Sequence, residues 1–299
     1  MWILSSVKQV QQSMNFSLDV PKMRETILVD CPDEVGLVHR ITGVLLSRKK
    51  NVETNHEFVD AQSGHFFLRA EISGTEASEG LEEELQSVLS ASARVRVARS
   101  GPRPLVVLAT REPHCLGELL LQSACGDLPG QIEAVVSNHD CLRELVERFE
   151  VPFYYVSHEG ISREEHETLL LDVIERICPD YVVLARYMRV LSETFIARLP
   201  NTIVNIHHSF LPAFAGAHPY RQAHHRGVKV IGATAHFVTA ELDAGPIIAQ
   251  DVIAIDHTYT PERMAQAGRD VEKLVLARAV RMVLENRVFL DGRRTIVFD

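Results

Sequence analysis

Short apolar runs alternate with amphipathic segments from residue 105 onward. A run that is apolar at every position is typical of a strand buried on both faces, and parallel strands of this kind are joined by helices. The alternation therefore predicts an α/β fold with a doubly wound, mostly parallel, Rossmann-like sheet. The expected strands are 105–109, 132–136, 153–156, 181–184 and 202–206, and the expected helices are 116–123, 140–149, 162–178 and 192–199.

The pattern continues to the end of the chain, with further strands expected over 231–238 and 247–255. A long closing helix follows, for which Thr260 is a suitable N-cap and Pro261 a suitable first residue. Its apolar residues repeat at helical spacing until about residue 286, and a last strand is expected over 295–298. The residues with this spacing are Met264, Ala267, Val271, Leu274 and Val275.

Residues 24–98 follow a different order, βαββαβ, which is typical of a ferredoxin-like domain. The strands are expected over 24–30, 51–60, 65–72 and 94–98, with a turn at Cys31-Pro32-Asp33. The helices are expected over 35–49 and 78–90, the first with Val35, Leu37, Val38, Ile41, Val44 and Leu45 on its apolar face.

Two prolines and a glycine between residues 100 and 104 mark a linker, because they continue neither strand nor helix. We therefore divide the chain into an N-terminal tail (1–22), a small domain (23–99), a linker (100–104) and a large domain (105–299).

Composition excludes several classes of partner. A net charge of −9 disfavours nucleic acid, and the absence of an apolar run of about eighteen residues disfavours a membrane span. Five cysteines without a C-x-x-C pair indicate free thiols in a reducing compartment. We therefore expect a cytoplasmic protein. The loop over residues 110–117 contains neither G-x-G-x-x-G nor a P-loop, so neither a dinucleotide nor an ATP site is expected.

Asn205 and His207 stand two apart at the end of an expected strand, so both side chains point to one face. Asp243 follows about thirty residues later at a turn. An amide can stabilise an oxyanion, an imidazole exchanges protons near neutral pH, and a carboxylate can orient the imidazole or hold a water. This set needs no metal. Taken singly, Asn205 could be a strand-end cap and Asp243 a turn residue.

Seven of the fourteen histidines lie between His207 and His257, which raises the alternative of a metal hydrolase. H-E-x-x-H is absent, and His207 and His208, as neighbours on a strand, are expected on opposite faces. We therefore expect no metal. His224 and His225 are expected on a solvated helical surface.

Two stretches resemble known families. Residues 24–98, with the turn Asp33-x-x-Gly36-Leu37-Val38, resemble an ACT domain, although Lys49-Lys50 stand where that family often has Gly-Gly. Residues 180–286 resemble the folate-dependent formyltransferases. The motifs that carry the second resemblance are Leu184–Leu191, Asn205–Phe214, Gly216–Tyr220, Gly232–Val238 and Leu242–Ile248.

The second resemblance implies catalysis by Asn205, His207 and Asp243 on a 10-formyltetrahydrofolate substrate, with no further cofactor. His236 lies in the motif and either supports these residues or packs in the core. The resemblance also implies that the folate lies against Met188, Arg189, Val190, Leu191, Val238, Thr239, Ala240, Glu241 and Leu242.

An ACT-like domain before this domain is typical of the family branch that hydrolyses 10-formyltetrahydrofolate to tetrahydrofolate and formate, in one-carbon and purine metabolism. The bulky loop Arg111-Glu112-Pro113-His114 supports hydrolysis, because it lacks the small residues that let backbone amides approach a phosphate. Formyl transfer to an amine such as glycinamide ribonucleotide and a folate-binding sensor without catalysis stay as alternatives. The ACT resemblance implies a homo-oligomer and an amino-acid effector, methionine or glycine, and a dimerisation domain without an effector stays as an alternative. Which group deprotonates the water stays open.

Overall fold

A computed structural model describes residues 23–75, 78–99, 101–212 and 219–299. The expected tail over 1–22 and the motif residues 213–218 lie outside this part of the chain. The chain divides into two compact units, Met1–Ser100 and Gly101–Asp299.

The first unit has the predicted βαββαβ order and forms an antiparallel sheet with strand order β2-β3-β1-β4. Ile27, Val29, Ile41 and Leu68 are among the residues of its core. Its elements are β1 (Met23–Pro32), α1 (Leu37–Ser47), β2 (Asn51–Asp60), β3 (His65–Gly74), α2 (Leu81–Val88) and β4 (Arg94–Arg99).

Two details of the first unit differ from prediction. The expected turn at Cys31-Pro32-Asp33 starts later than predicted, after Pro32, because β1 stays paired with β3 as far as Pro32 opposite His65. Helix α1 begins at Leu37 because Gly36 takes a left-handed conformation with φ +91°. Val35 and Val38 are consequently exposed, and Leu37, Ile41, Val44 and Leu45 form the buried face.

The two lysines at the ACT glycine positions have distinct structural roles. Lys49 takes φ +52°, the left-handed conformation that glycine adopts without strain. Lys50 turns inward, with Nζ 3.1 Å from Glu25 Oε2 in an ion pair of two buried side chains. A Cβ on Gly74 would lie 2.7 Å from Lys50 Cδ, so glycine at 74 leaves room for the lysine stem.

The second unit is built on a seven-stranded sheet with order β11-β10-β9-β8-β5-β6-β7. Strands β5 to β9 are parallel, as predicted, whereas β10 and β11 run antiparallel. The elements are β5 (Arg103–Ala109), α3 (Pro113–Cys125), β6 (Gly130–Ser137), α4 (Arg143–Glu147), β7 (Phe153–Tyr155), α5 (Arg163–Ile177), β8 (Tyr181–Ala185), α6 (Glu193–Arg198), β9 (Ile203–His207), α7 (Pro219–Arg226), β10 (Val230–Phe237), β11 (Ile247–Ala254), α8 (Pro261–Leu284), β12 (Val288–Asp291) and β13 (Arg294–Val297).

Both faces of this sheet are covered, which explains why its central strands are apolar throughout. Leu105 and Val107 of β5 belong to the core that includes α3 and α8. Val106 and Leu108 of the same strand belong to the core that includes α5. The strand order reverses between β5 and β8, and ligands of such sheets bind at the carboxyl ends of strands beside the reversal.

Several boundaries in this unit differ from prediction. Strand β5 begins at Arg103, inside the expected linker, and α4 is shorter than expected. Thr260 caps α8 as predicted, accepting a hydrogen bond from the Arg263 amide, but Leu274 is exposed. Strand β12, which pairs with β13 in a hairpin, was not predicted. Among the described residues, no helix has the length and apolar character needed to cross a membrane.

Candidate active site

Asn205 and His236 are directly opposite each other on the antiparallel strands β9 and β10. Asn205 Nδ2 donates a hydrogen bond to His236 Nε2 at 3.2 Å, and His236 Nδ1 donates to the Phe237 carbonyl at 2.8 Å. These two bonds assign the neutral Nδ1–H tautomer to His236, and burial lowers the pKa of this imidazole. His236 therefore fixes the orientation of the Asn205 amide. The contact uses one N–H of the Asn205 amide and leaves the other N–H for a different partner.

His207, two residues beyond Asn205 on β9, faces the turn that carries Asp243. Its Nδ1 lies 3.2 Å from Asp243 Oδ2. The contact with His207 holds the pKa of Asp243 below its usual range, against the opposing effect of burial. His207 Nε2 is buried and has no hydrogen-bond partner in the part of the chain that the structure describes. The predicted amide, imidazole and carboxylate therefore meet in one place.

The backbone around Asp243 determines where its carboxylate points. Asp243 takes φ +54°, a left-handed conformation that aspartate tolerates better than most residues. Two residues later, a Cβ on Gly245 would lie 1.7 Å from the Phe237 carbonyl oxygen. Glycine at 245 lets the turn approach the end of β10, and this brings the carboxylate next to His207.

His208 does not lie on the face opposite His207, so that prediction is wrong. The ring centroids of His207 and His208 are 5.1 Å apart and both side chains line the same cavity. Strand β9 ends at His207, so the alternation of side chains that the prediction assumed no longer applies at 208. Burial first, then the charges of Arg186 and His207, lowers the pKa of His208 to about 4.

The cavity beside these residues has a volume of about 570 Å³. Asn205, His207, His236 and Asp243 line its wall. Of the predicted folate-contacting residues, Glu241 is not part of the lining, and its carboxylate lies 3.3 Å from the Arg293 guanidinium. The predicted residues that do line the cavity are Met188, Arg189, Val190, Leu191, Val238, Thr239, Ala240 and Leu242.

Two buried threonines hold the loops that form this cavity. Thr110, at the end of β5, accepts a hydrogen bond from the Met188 amide at 3.0 Å. Thr234 on β10 donates to the Ser209 carbonyl at 2.9 Å and accepts from the Leu211 amide at 3.0 Å. The two hydrogen bonds of Thr234 hold the chain immediately after His208 in place.

Glu272 on α8, a buried carboxylate not singled out from the sequence, forms part of the wall of the cavity. His114 Nε2 and the Tyr220 hydroxyl each lie 2.8 Å from its oxygens, and Arg186 Nε lies 3.4 Å away. Burial acts to raise the pKa of Glu272, but contacts with His114, Arg186 and Tyr220 outweigh it and lower this pKa. The sequence signal was the spacing Met264–Gly268–Glu272, which places all three on one face of α8.

Gly268 is needed for this wall. A Cβ at this position would lie 1.9 Å from the Tyr220 hydroxyl oxygen, so glycine lets Tyr220 pass over the helix to reach Glu272. Glycine within a helix costs about 1 kcal/mol relative to alanine. The close approach of Tyr220 gives a structural reason for that cost.

His114, Cys115 and Glu272 also bring three potential metal ligands within 4.8 Å of one another. Burial raises the pKa of the Cys115 thiol, and the nearby Glu272 raises it further. The Glu272 oxygens are already engaged by His114 and Tyr220, and the Arg186 cation lies beside them. A metal ion at this cluster would have to displace these contacts.

Comparison with known proteins agrees with this fold. Residues 103–280 match the family described as formyl transferase. The second unit is thus an α/β domain of the formyl transferase class, preceded by a small antiparallel domain consistent with an ACT-like fold. Relatives named formyltetrahydrofolate deformylase match 92% of the chain at up to 54% identity, so the chain belongs to that family.

Two relatives support that assignment, and a third protein shares the fold over about two thirds of the chain. The formyltetrahydrofolate deformylase of Escherichia coli O6:H1 is 54% identical over 274 residues, covering 92% of this chain and 98% of that protein. A formyltetrahydrofolate deformylase structure from Pseudomonas syringae has a TM-score of 0.90 at 38% identity, covering 98% of this chain and 99% of the other. A glycinamide ribonucleotide transformylase from Symbiobacterium toebii has a TM-score of 0.64 at 32% identity, covering 66% of this chain and 95% of the other.

Proposed function

We propose that this protein hydrolyses 10-formyltetrahydrofolate to tetrahydrofolate and formate, with water as the nucleophile. The observation that carries the proposal is the meeting of Asn205, His207 and Asp243 at one cavity, in a chain that is 54% identical to a protein named formyltetrahydrofolate deformylase. Tyr220 and Glu272, which line the cavity, favour water over a phosphate-bearing amine as the nucleophile, because their polar groups are already paired with each other.

Hydrolysis requires that water attack the carbon of an amide-like formyl group, which drives the carbonyl electrons onto oxygen. Asn205 donates the hydrogen bond that stabilises this oxyanion. One N–H of its amide is held by His236, and the other is directed to the substrate. Because His236 fixes the amide before substrate binds, the donor does not need to reorganise during the reaction.

His207 supplies the proton that the folate nitrogen needs in order to leave. Its Nδ1 is held by Asp243, so Nε2 is the atom that carries the transferable proton. Asp243, with its lowered pKa, is ionised and stabilises the imidazolium form of His207. Protonation of the folate nitrogen breaks the C–N bond and yields tetrahydrofolate, while the formyl carbon leaves as formate.

The folate binds at the apolar mouth of the cavity. Met188, Val190 and Leu242 are exposed there although they are apolar, as expected for residues that a ring system covers. No further cofactor or metal is part of the proposal.

Incubation with 10-formyltetrahydrofolate and no amine tests the proposal. Stoichiometric formate and tetrahydrofolate are the expected products. Turnover only after an acceptor such as glycinamide ribonucleotide is added would replace hydrolysis with formyl transfer. Binding without turnover in either assay would identify a folate sensor.

We further propose a cytoplasmic homo-oligomer whose ACT-like unit binds an amino-acid effector, methionine or glycine. The resemblance to ACT domains supports this, together with the exposure of Phe58 and Val59 on the edge strand β2. Sedimentation and the formate assay with each amino acid test it. A monomer whose rate neither amino acid changes would contradict it.

A further inference from the structure

We propose that His208 holds the attacking water, accepting first its hydrogen bond and then its proton. The inference rests on the proposed hydrolysis and adds a second imidazole to the catalytic set. His208 is thereby distinct from His207, which serves the leaving nitrogen.

The position of His208 is the first support. It lines the same cavity as Asn205 and His207, and its ring centroid is 5.1 Å from that of His207. Within residues 23–75, 78–99, 101–212 and 219–299, the His208 side chain forms no hydrogen bond or ion pair. Its ring nitrogens are therefore available to a water in the cavity.

The protonation state of His208 is the second support. Burial, Arg186 and His207 disfavour the imidazolium, and Glu272 and Asp243, which favour it, do not outweigh them. The pKa of about 4 leaves His208 neutral near pH 7, so one ring nitrogen carries a free lone pair. A hydrogen-bond acceptor for the nucleophile needs that lone pair. The weak basicity suffices because the attacking oxygen becomes strongly acidic as its bond to carbon forms.

The two adjacent imidazoles have different roles in proton transfer. Two cations at this separation would repel, so the two rings are not both imidazolium at the start of the reaction. Asp243 lies next to His207 and stabilises the cation there. His208 is consequently the neutral acceptor of the pair.

The proton balance follows from this division. The water oxygen bonds to the formyl carbon, the carbonyl electron pair moves onto oxygen, and a water proton passes to His208. His207 protonates the folate nitrogen, the C–N bond breaks, and the oxyanion re-forms the C=O bond of formic acid. The proton on His208 then passes to His207, and formic acid releases its proton to solvent as formate.

Replacing His208 with Gln or Asn tests the inference, with His224→Gln on the exposed surface of α7 as the control. We expect kcat for formate release to fall by about 10²- to 10⁴-fold, the usual contribution of a general base. The KM and the affinity for tetrahydrofolate should stay within about twofold of wild type, since the folate contacts are unchanged. Tetrahydrofolate binding also shows that each variant is folded.

Hydroxylamine separates water activation from a structural role, because this strong nucleophile attacks a formyl group without a base. In His208→Gln, formation of N-formylhydroxylamine should stay within about tenfold of wild type while hydrolysis falls by at least ~100-fold. Added imidazole should restore part of the hydrolysis in His208→Gly. Equal loss of both reactions, or hydrolysis in His208→Gln within threefold of wild type, would overturn the inference. Absence of formate release by the wild-type protein would instead overturn the proposed function.

Discussion

Asp243 Oδ2 lies 3.2 Å from His207 Nδ1, although 36 residues separate them in the chain. The contact occupies Nδ1 and leaves the buried Nε2 of His207 without a hydrogen-bond partner among the described residues. A left-handed residue at 243 and a glycine at 245 bring the turn close enough to make it. Orientation of the imidazole by the carboxylate is the relationship on which the proposed proton transfer depends.

Asp243→Asn tests that relationship. Asparagine keeps the size of the side chain and loses the charge that stabilises the His207 cation, so kcat for formate release should fall by about 10²- to 10⁴-fold. Tetrahydrofolate affinity should change little, because Asp243 orients His207 and is not needed to bind the ring. Steady-state formate release together with ligand binding measures both quantities. A variant with the wild-type rate would exclude the role given to Asp243, and Asp251→Asn on the exposed part of β11 is the matched control.

Asn205→Ala removes the proposed oxyanion donor. Loss of one such donor typically lowers kcat by about 10²- to 10³-fold. His236→Phe should give part of the same loss, because Asn205 then loses the bond that fixes its amide. Since the two substitutions act on one group, the double variant should be little worse than Asn205→Ala alone. Measuring kcat for the wild type, the two single variants and the double variant tests this. Additive losses would show that His236 acts independently of Asn205.

Glu272→Gln tests the contacts that Glu272 makes in the cavity wall. The substitution leaves Arg186 next to a neutral amide, and we expect the free energy of unfolding to fall by about 1–3 kcal/mol at pH 7. Asp270→Asn, on the exposed side of the same helix, should change it by less than about 0.5 kcal/mol. Denaturant unfolding of the three proteins measures this. Equal stability of wild type and Glu272→Gln would mean that the network does not stabilise the folded protein.

The difference in the free energy of unfolding between wild type and Glu272→Gln should depend on pH in one direction. The folded-state pKa of Glu272 is below its ordinary value of 4.5. A carboxyl group with a lowered pKa contributes stability above its unfolded-state pKa and loses it as pH falls through the folded-state pKa. The difference between wild type and Glu272→Gln should therefore be constant near neutral pH and shrink below about pH 4.5.

Local chain patterns predicted the main framework and the placement of Asn205 and His207 on one face, but not everything around them. The βαββαβ unit and the parallel strands follow from apolar periodicity, and Asn205 and His207 share a face because both lie within β9. His208 escaped prediction because the strand ends one residue before it. Glu272 escaped because its partners, His114, Arg186 and Tyr220, come from three distant segments that only the folded sheet brings together.

The most direct test of the central claim is hydrolysis in H₂¹⁸O without any amine acceptor, with mass analysis of the formate. Attack by water predicts formate that carries one ¹⁸O atom, formed in equal amount with tetrahydrofolate. Unlabelled formate, or formyl release that requires an amine and yields a formylated amine, would contradict the account.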